Sequence, residues 1–174
     1  MALQLIIDGY NLIRQSAALR EHDRESLEKG RGELLRKLAS YQRIKRYHIT
    51  VVFDGWIHGE TSEGRDRVAG ITVQFSRRGE KADVVIRRLA SQYQDQAVVV
   101  TSDRDLGYAC IQEGSEVVSS QEFEGRLELA AYQTLKEDTD AEVDNHTGKK
   151  TGKKGPARRL PKAQRRHNQV LKKL

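Results

Sequence analysis

Apolar positions in the first 136 residues follow two rhythms that alternate along the chain. Leu3–Ile7 is a short apolar run closing on Asp8-Gly9, which predicts a strand entering a tight turn. From about Glu25 to Arg46, Leu27, Leu34, Leu35, Leu38 and Tyr41 recur at three- and four-residue spacing, the signature of an amphipathic helix. Ile49–Phe53 is a second apolar run, again closing on Asp-Gly, and the polar, Gly-containing residues 56–70 are expected to be a loop. Ile71–Phe75 predicts a third strand, followed by a helix with Ala82, Val85, Ile86, Leu89, Ala90 and Tyr93 on one face. Ala97–Val100 is apolar throughout, as in a strand buried on both faces. A short helix over Arg104–Gln112, a strand over Glu116–Val118 and a helix over Gln121–Lys136 complete the pattern, the last with Phe123, Leu127, Ala130, Ala131 and Leu135 inward. Strands alternating with helices argue for an α/β fold, a mostly parallel central sheet with helices on both faces.

After Glu137 the rhythm stops. Residues 1–137 are expected to form one domain, and 138–174 a flexible linker and a basic tail. Composition sharpens that division. Residues 145–174 hold eleven Lys or Arg and no acid, so taking +11 from the whole-chain +6 leaves the first 144 residues at −5. A basic tail on an acidic body is expected to meet a polyanion, most simply nucleic acid, with Arg158, Arg159, Lys162, Arg165 and Arg166 as contacts. The alternative is a solvated tail that aids solubility. Its few apolar residues make a poor membrane-facing stripe, so no membrane partner is expected. Arg158–Leu174 could turn helical on binding. The single cysteine, Cys110, excludes a disulfide framework and a thiolate zinc site, and the five histidines lack metal-ligand spacing. No segment has the length of a membrane span and no signal-peptide layout is visible, which makes the cytoplasm the expected compartment.

Parallel α/β sheets carry their sites beyond the carboxyl ends of the strands, beside the switch in strand order. In this chain those ends repeatedly carry acids: Asp8 after the first strand, Asp54 after the second, Asp103 and Asp105 after the fourth. Asp83 stands in the first turn of the helix after the third strand. With strand order 3-2-1-4-5, Asp8 and Asp103 would face each other at the switch. Converging carboxylates repel, so the cluster is costly unless a cation sits in it, and oxygen-only donors point to Mg²⁺ or Mn²⁺. Such a site activates water and stabilises charge on a phosphodiester. Taken singly, each acid has an ordinary explanation. Asp-Gly is a common turn dipeptide, Asp83 suits a helix first turn, and Asp103 suits an N-cap. Acids on three strand ends plus a helix start are harder to attribute to capping alone.

Arg77, Arg78 and Lys81 lie just before Asp83, and Arg104 just after Asp103, where cations could hold the phosphates flanking a scissile bond. The alternative for the first group is a solvated loop paired with Glu80. Tyr10 and Trp56 follow strand ends and could stack on unpaired bases, or equally close the edge of the core.

These motifs form an ordered set. Ile6-Ile7-Asp8-Gly9-Tyr10-Asn11-Leu12-Ile13, Val51-Val52-Phe53-Asp54-Gly55, Glu80-Lys81-Ala82-Asp83 and Val100-Thr101-Ser102-Asp103-Arg104-Asp105 resemble, in order, the motifs of the NYN domain family. Those are PIN-like nucleases, and the likeness is closest to their bacterial YacP-like branch, over roughly residues 3–136. The resemblance implies a Rossmann-like, three-layer PIN fold and divalent-metal hydrolysis of RNA, leaving a 5′-phosphate and a 3′-hydroxyl. It implies metal-binding acids at Asp8, Asp83 and Asp103, with Asp105 as the second acid of the S-D-x-D segment and Asp54 as a further acid. Asn11 resembles the family's polar residue that orients Asp8 or a metal-bound water. The expected activity is therefore that of a Mg²⁺- or Mn²⁺-dependent endoribonuclease. Its expected partner is RNA, free or within a ribonucleoprotein such as the ribosome, with the tail as anchor. The resemblance says nothing of the tail, which lies outside its core pattern.

Three other functions fit less well. A non-catalytic RNA-binding module of the same fold would have no need of the intact acids. A phosphorelay receiver needs a lysine after its last strand, where this chain has Ser119-Ser120-Gln121. A dinucleotide-binding enzyme needs a glycine-rich phosphate loop after the first strand, and Asp8 there would repel a pyrophosphate, so no nucleotide cofactor is expected.

Overall fold

The computed structural model describes residues 3–55, 64–140 and 172. Trp56 and the tail residues Arg158, Arg159, Lys162, Arg165 and Arg166 lie outside the described residues. Six strands, β1 (Gln4–Asp8), β2 (His48–Phe53), β3 (Arg65–Val68), β4 (Ile71–Phe75), β5 (Ala97–Val100) and β6 (Glu116–Val118), form one sheet in the order β3-β4-β2-β1-β5-β6. All neighbours are parallel except β3, which runs antiparallel to β4. The five strands other than β3 therefore keep the order expected from the sequence. β3 is a correction: residues 56–70 are not all loop, since Arg65–Val68 pairs with Gln74–Ile71. Its four residues are all exposed, so it lacks the buried alternation that would have announced it. Charges on such a strand protect an open sheet edge.

Alternation along β1 divides its side chains between two layers. Leu5 and Ile7 join Val51, Phe53, Val73, Val98 and Val100 under α1 (Gly9–Gln15), α3 (Leu27–Lys45) and α6 (Ser120–Asp140). Ile6 joins Val52 and Val99 under α4 (Ala82–Tyr93) and α5 (Arg104–Gln112), through Val85, Ile86, Leu89, Leu106 and Cys110. Each such fully buried aliphatic side chain contributes roughly 2 kcal/mol of transfer free energy. Helices on both faces of one mostly parallel sheet make the expected three-layer α/β architecture.

The first helical stretch differs from expectation. Asp8-Gly9 opens no turn; α1 starts on it directly, and α2 (Ala17–Glu25) follows before α3. Serines punctuate the three helices. Ser16 Oγ accepts from Leu19 N at 3.1 Å and Ser26 Oγ from Lys29 N at 3.1 Å, each satisfying an orphan donor at a helix start. α6 begins at Ser120 and continues to Asp140, so residues 138–140, expected in the linker, are helical. Among the described residues no helix is long and apolar enough to cross a membrane.

Candidate active site

The carboxyl ends of β1, β2 and β5 and the N-termini of α1, α4 and α5 meet on one rim of the sheet. Asp8, the last residue of β1, is the N-cap of α1. Its Oδ1 accepts from Asn11 N at 3.2 Å, and its Oδ2 accepts from the Thr101 hydroxyl at 3.2 Å. Only 9% of Asp8 is exposed. Burial is the largest influence on its carboxyl and raises its pKa from 3.8 to about 6, with the charges of Asp83 and Asp54 adding to the rise. The two hydrogen bonds oppose that rise but do not cancel it.

Asp103 is the N-cap of α5, with Oδ1 accepting from Asp105 N at 2.9 Å and Leu106 N at 3.0 Å. Its own N–H donates to Thr101 Oγ1 at 3.1 Å, so one buried hydroxyl joins the Asp8 carboxylate to the Asp103 backbone. β1 and β5 are neighbours, with Ile7 opposite Val100, which brings these two acids to adjacent strand ends as expected. Asp83 is half-buried in the first turn of α4. Burial raises its pKa first, then the charges of Asp103 and Asp54, against the lowering effect of Lys81. Asp54 reaches across to α4, where Oδ1 accepts from Ala82 N at 2.7 Å. That bond satisfies a helix start whose own N-cap residue, Lys81, supplies no side-chain acceptor.

Asp8, Asp54, Asp83 and Asp103 thus form one electrostatically coupled group. Asp105 is exposed in the first turn of α5 and is not among the charges that raise Asp8 or Asp83. Among the described residues, no three His, Cys, Asp or Glu converge tightly enough to enclose a metal ion. The donor set still suits a hard cation. All donors are carboxylate oxygens, one of them buried with its pKa raised, and Mg²⁺ commonly takes one or two carboxylates while keeping waters.

The Asn11 side chain engages residues other than Asp8. Its Oδ1 accepts from Ser102 N at 2.9 Å and from the Ser120 hydroxyl at 2.8 Å, while Ser102 Oγ accepts from Ser120 N at 3.1 Å. Its side-chain oxygen therefore clasps α1, the β5–α5 turn and the start of α6 together; only its backbone N–H reaches Asp8. Thr101, Ser102 and Ser120 were not picked out as site residues. The hydroxyl pair directly before Asp103 is the available signal for the first two, and nothing local marks Ser120.

Tyr10 requires a correction. It is 4% exposed, its ring lies edge-on to Phe53 at 5.0 Å, and it offers no face to a base. Arg77, Arg78, Lys81 and Arg104 are all exposed at the rim. The Glu80 carboxylate pairs with Arg88 and accepts from Arg77 N at 3.4 Å. The two Asp-Gly steps owe their glycines to close packing. A Cβ on Gly9 would stand 2.3 Å from the Phe53 ring, and one on Gly55 would stand 1.9 Å from Ser76 O.

Comparison with known proteins identifies the group to which this rim belongs. The model of the YacP-like NYN domain matches residues 5–172. The chain belongs to the YacP-like NYN domain family. The protein YacP of Bacillus subtilis (strain 168) is 30% identical over 122 residues, which make up 68% of this chain and 71% of that protein. Two crystal structures of Rae1 (YacP) from Bacillus subtilis superpose on it at 26% identity. One, of a mutant, has a TM-score of 0.67 and covers 83% of this chain and 86% of that one. The other has a TM-score of 0.66 and covers 81% and 82%. NYN domains are RNases of the PIN-like nuclease superfamily, so membership gives the chain its broad class, a nuclease. The family match also runs well into the basic segment, which therefore lies within the family's span rather than outside it as expected from the motifs alone.

Proposed function

We propose that this chain is a divalent-metal-dependent endoribonuclease that hydrolyses phosphodiester bonds in single-stranded or unpaired RNA. The observation that carries the reading is the buried Asp8 carboxyl, pushed up to about 6 by burial and by the charges of Asp83 and Asp54, on the rim that also carries Asp103. A fold does not keep such a group for stability. It is relieved by a cation, and Asp8, Asp83 and Asp103 would hold Mg²⁺ or Mn²⁺ there. When bound, that ion polarises the scissile phosphodiester and acidifies the attacking water.

The chain's own residues set the rest. Thr101 fixes the Asp8 carboxylate relative to the Asp103 backbone, and the Asn11–Ser102–Ser120 clasp holds the β5–α5 turn in place. Asp54 has one oxygen bound to the α4 N-terminus and adds negative charge beside Asp83. Asp105, exposed in the first turn of α5, would add a further carboxylate for the metal. Arg77, Arg78, Lys81 and Arg104 surround the acids with phosphate-seeking cations. The tail, with its eleven cations, anchors the enzyme to RNA or to a ribonucleoprotein.

The test is cleavage of an end-labelled, partly single-stranded RNA with Mg²⁺, Mn²⁺ or EDTA, comparing the parent with Asp103→Asn. Internal cuts that need the metal and vanish in the variant are expected. Metal-independent cuts, or an equally active variant, would remove the carboxylate site. RNA retained but never cut would favour a binding module of the same fold. Deleting residues 145–174 is expected to weaken binding and flatten its salt dependence. Unchanged affinity would end the anchor reading.

A further inference from the structure

Two arginines outside the sequence motifs converge on Tyr10 at the same rim. Arg31, half-buried on α3, donates from Nη1 to the Tyr10 hydroxyl at 3.1 Å. Its guanidinium carbon lies 6.0 Å from the Phe53 ring centroid and 5.7 Å from that of Phe75, two rings stacked at 5.8 Å and 28°. Arg14, exposed in the last turn of α1, lies over the Tyr10 ring at 5.9 Å. Among the described residues neither arginine pairs with a carboxylate.

This arrangement is unusual for a body with a net charge of −5. A half-buried cation is expected to find an acid, and two cations brought to one aromatic ring repel unless an anion joins them. The aromatic bed and the Tyr10 hydroxyl hold the Arg31 fork in one orientation while using only one of its five N–H groups among the described residues. A preset fork with spare donors suits the paired oxygens of a phosphate.

Position supplies the remaining argument. Phe53 directly precedes Asp54, and Tyr10 is two residues beyond Asp8, so the arginines are tied to the strand ends that carry the acids. Asp54 turns toward α4, whereas Arg31 and Arg14 stand on the layer formed by α1 and α3. A strand crossing the rim would meet the acids on one side and the arginines on the other.

We propose that Arg31 and Arg14 form a phosphate-binding subsite for the backbone of single-stranded RNA next to the scissile bond. The proposal rests on the nuclease reading above. Its contacts are to non-bridging phosphate oxygens and carry no base preference.

The test uses the full chain in EDTA and a short fluorescein-labelled single-stranded RNA, with affinity followed between about 50 and 200 mM salt. Arg31→Met and Arg14→Met are each expected to weaken binding at low salt, by about tenfold for Arg31. Each is also expected to lower the salt slope by about one, because one phosphate contact is lost. The tail contributes equally to every variant and cancels in the difference. Arg31→Lys is expected to keep the slope and recover only part of the affinity, since it keeps the charge but loses the fork. If Arg31→Met fails to fold, Arg14→Met, at an exposed position, decides the matter. Weaker binding with an unchanged slope would overturn the subsite, because altered packing alone releases no counterions. So would variants that match the parent in EDTA while the parent binds there and cuts the same RNA once Mg²⁺ or Mn²⁺ is restored, an outcome that leaves the nuclease reading standing. A parent that neither binds in EDTA nor cuts the same RNA once Mg²⁺ or Mn²⁺ replaces the EDTA overturns both.

Discussion

Replacing Asp8 by Asn is expected to stabilise the metal-free protein while abolishing its chemistry. The folded-state pKa of about 6, against an ordinary 3.8, is a rise of about two units, and each unit is about 1.4 kcal/mol. At pH 7 the buried carboxylate therefore withholds about 3 kcal/mol from folding. The variant removes that penalty at some cost. Asn Oδ1 can still accept from Asn11 N, but Nδ2 would face the Thr101 hydroxyl, whose proton then loses its acceptor. One such loss is worth about 1 kcal/mol, leaving a net gain of about 2 kcal/mol, or about 4–8 °C in Tm. The sign with pH follows from the raised pKa. The stability tied to Asp8 is fully present below about 3.8 and is lost as pH rises through about 6. The variant's advantage should therefore be largest at pH 7, shrink on acidification and vanish at roughly pH 4.5. Urea unfolding of both proteins in EDTA across that range is the assay. Saturating Mg²⁺ or Mn²⁺ should then stabilise the parent alone, by about 2.7 kcal/mol at a hundredfold excess over Kd, closing the gap. A variant less stable than the parent at pH 7, or an advantage independent of pH, would refute the argument that burial and repulsion raise this carboxyl.

Two further outcomes follow from the rim's geometry. Asp54→Ala takes the acceptor from Ala82 N and should cost about 1 kcal/mol in urea unfolding. It should also let the Asp8 carboxyl titrate at lower pH, a shift readable by NMR. Gly9→Ala drives a Cβ to 2.3 Å from the Phe53 ring and should cost about 1–3 kcal/mol; an unchanged urea midpoint would mean the β2 end can yield there.

What the sequence made legible depended on whether the signal was local. The strands β1, β2 and β5 announced themselves through apolar runs because most of their residues on both faces are covered. β3 did not, since Arg65-Asp66-Arg67-Val68 buries nothing. The turn expected at Asp8-Gly9 is a helix start instead: Asp-Gly is ordinarily a turn, whereas here the glycine admits the Phe53 ring against the first turn of a helix. That same helix carries Tyr10 into the core, which sequence position alone made look available for stacking. The acids were legible as strand-end residues; their supports were not. Thr101 meets Asp8 across 93 positions of chain and Ser120 meets Asn11 across 109, and no local pattern encodes such pairings.

Capping does not compete with the proposed catalytic role of these aspartates. Asp8 and Asp103 are N-caps, and Asp54 caps α4 from a distance, so the ordinary role assigned to each Asp-Gly or Ser-Asp step is partly real. Capping alone, however, predicts the wrong direction for Asp8. Backbone N–H groups and the positive end of a helix favour the charged carboxylate and lower its pKa. Asp8 receives such a bond from Asn11 and a second from Thr101, and its carboxyl is nevertheless raised to about 6. The helix starts fix where the carboxylates stand. Burial and mutual repulsion then leave Asp8 short of positive charge, and three helix N-termini on one rim do not supply it. The missing charge is the one that a divalent cation would bring, which is why the same geometry that caps the helices supports a metal-dependent phosphodiesterase.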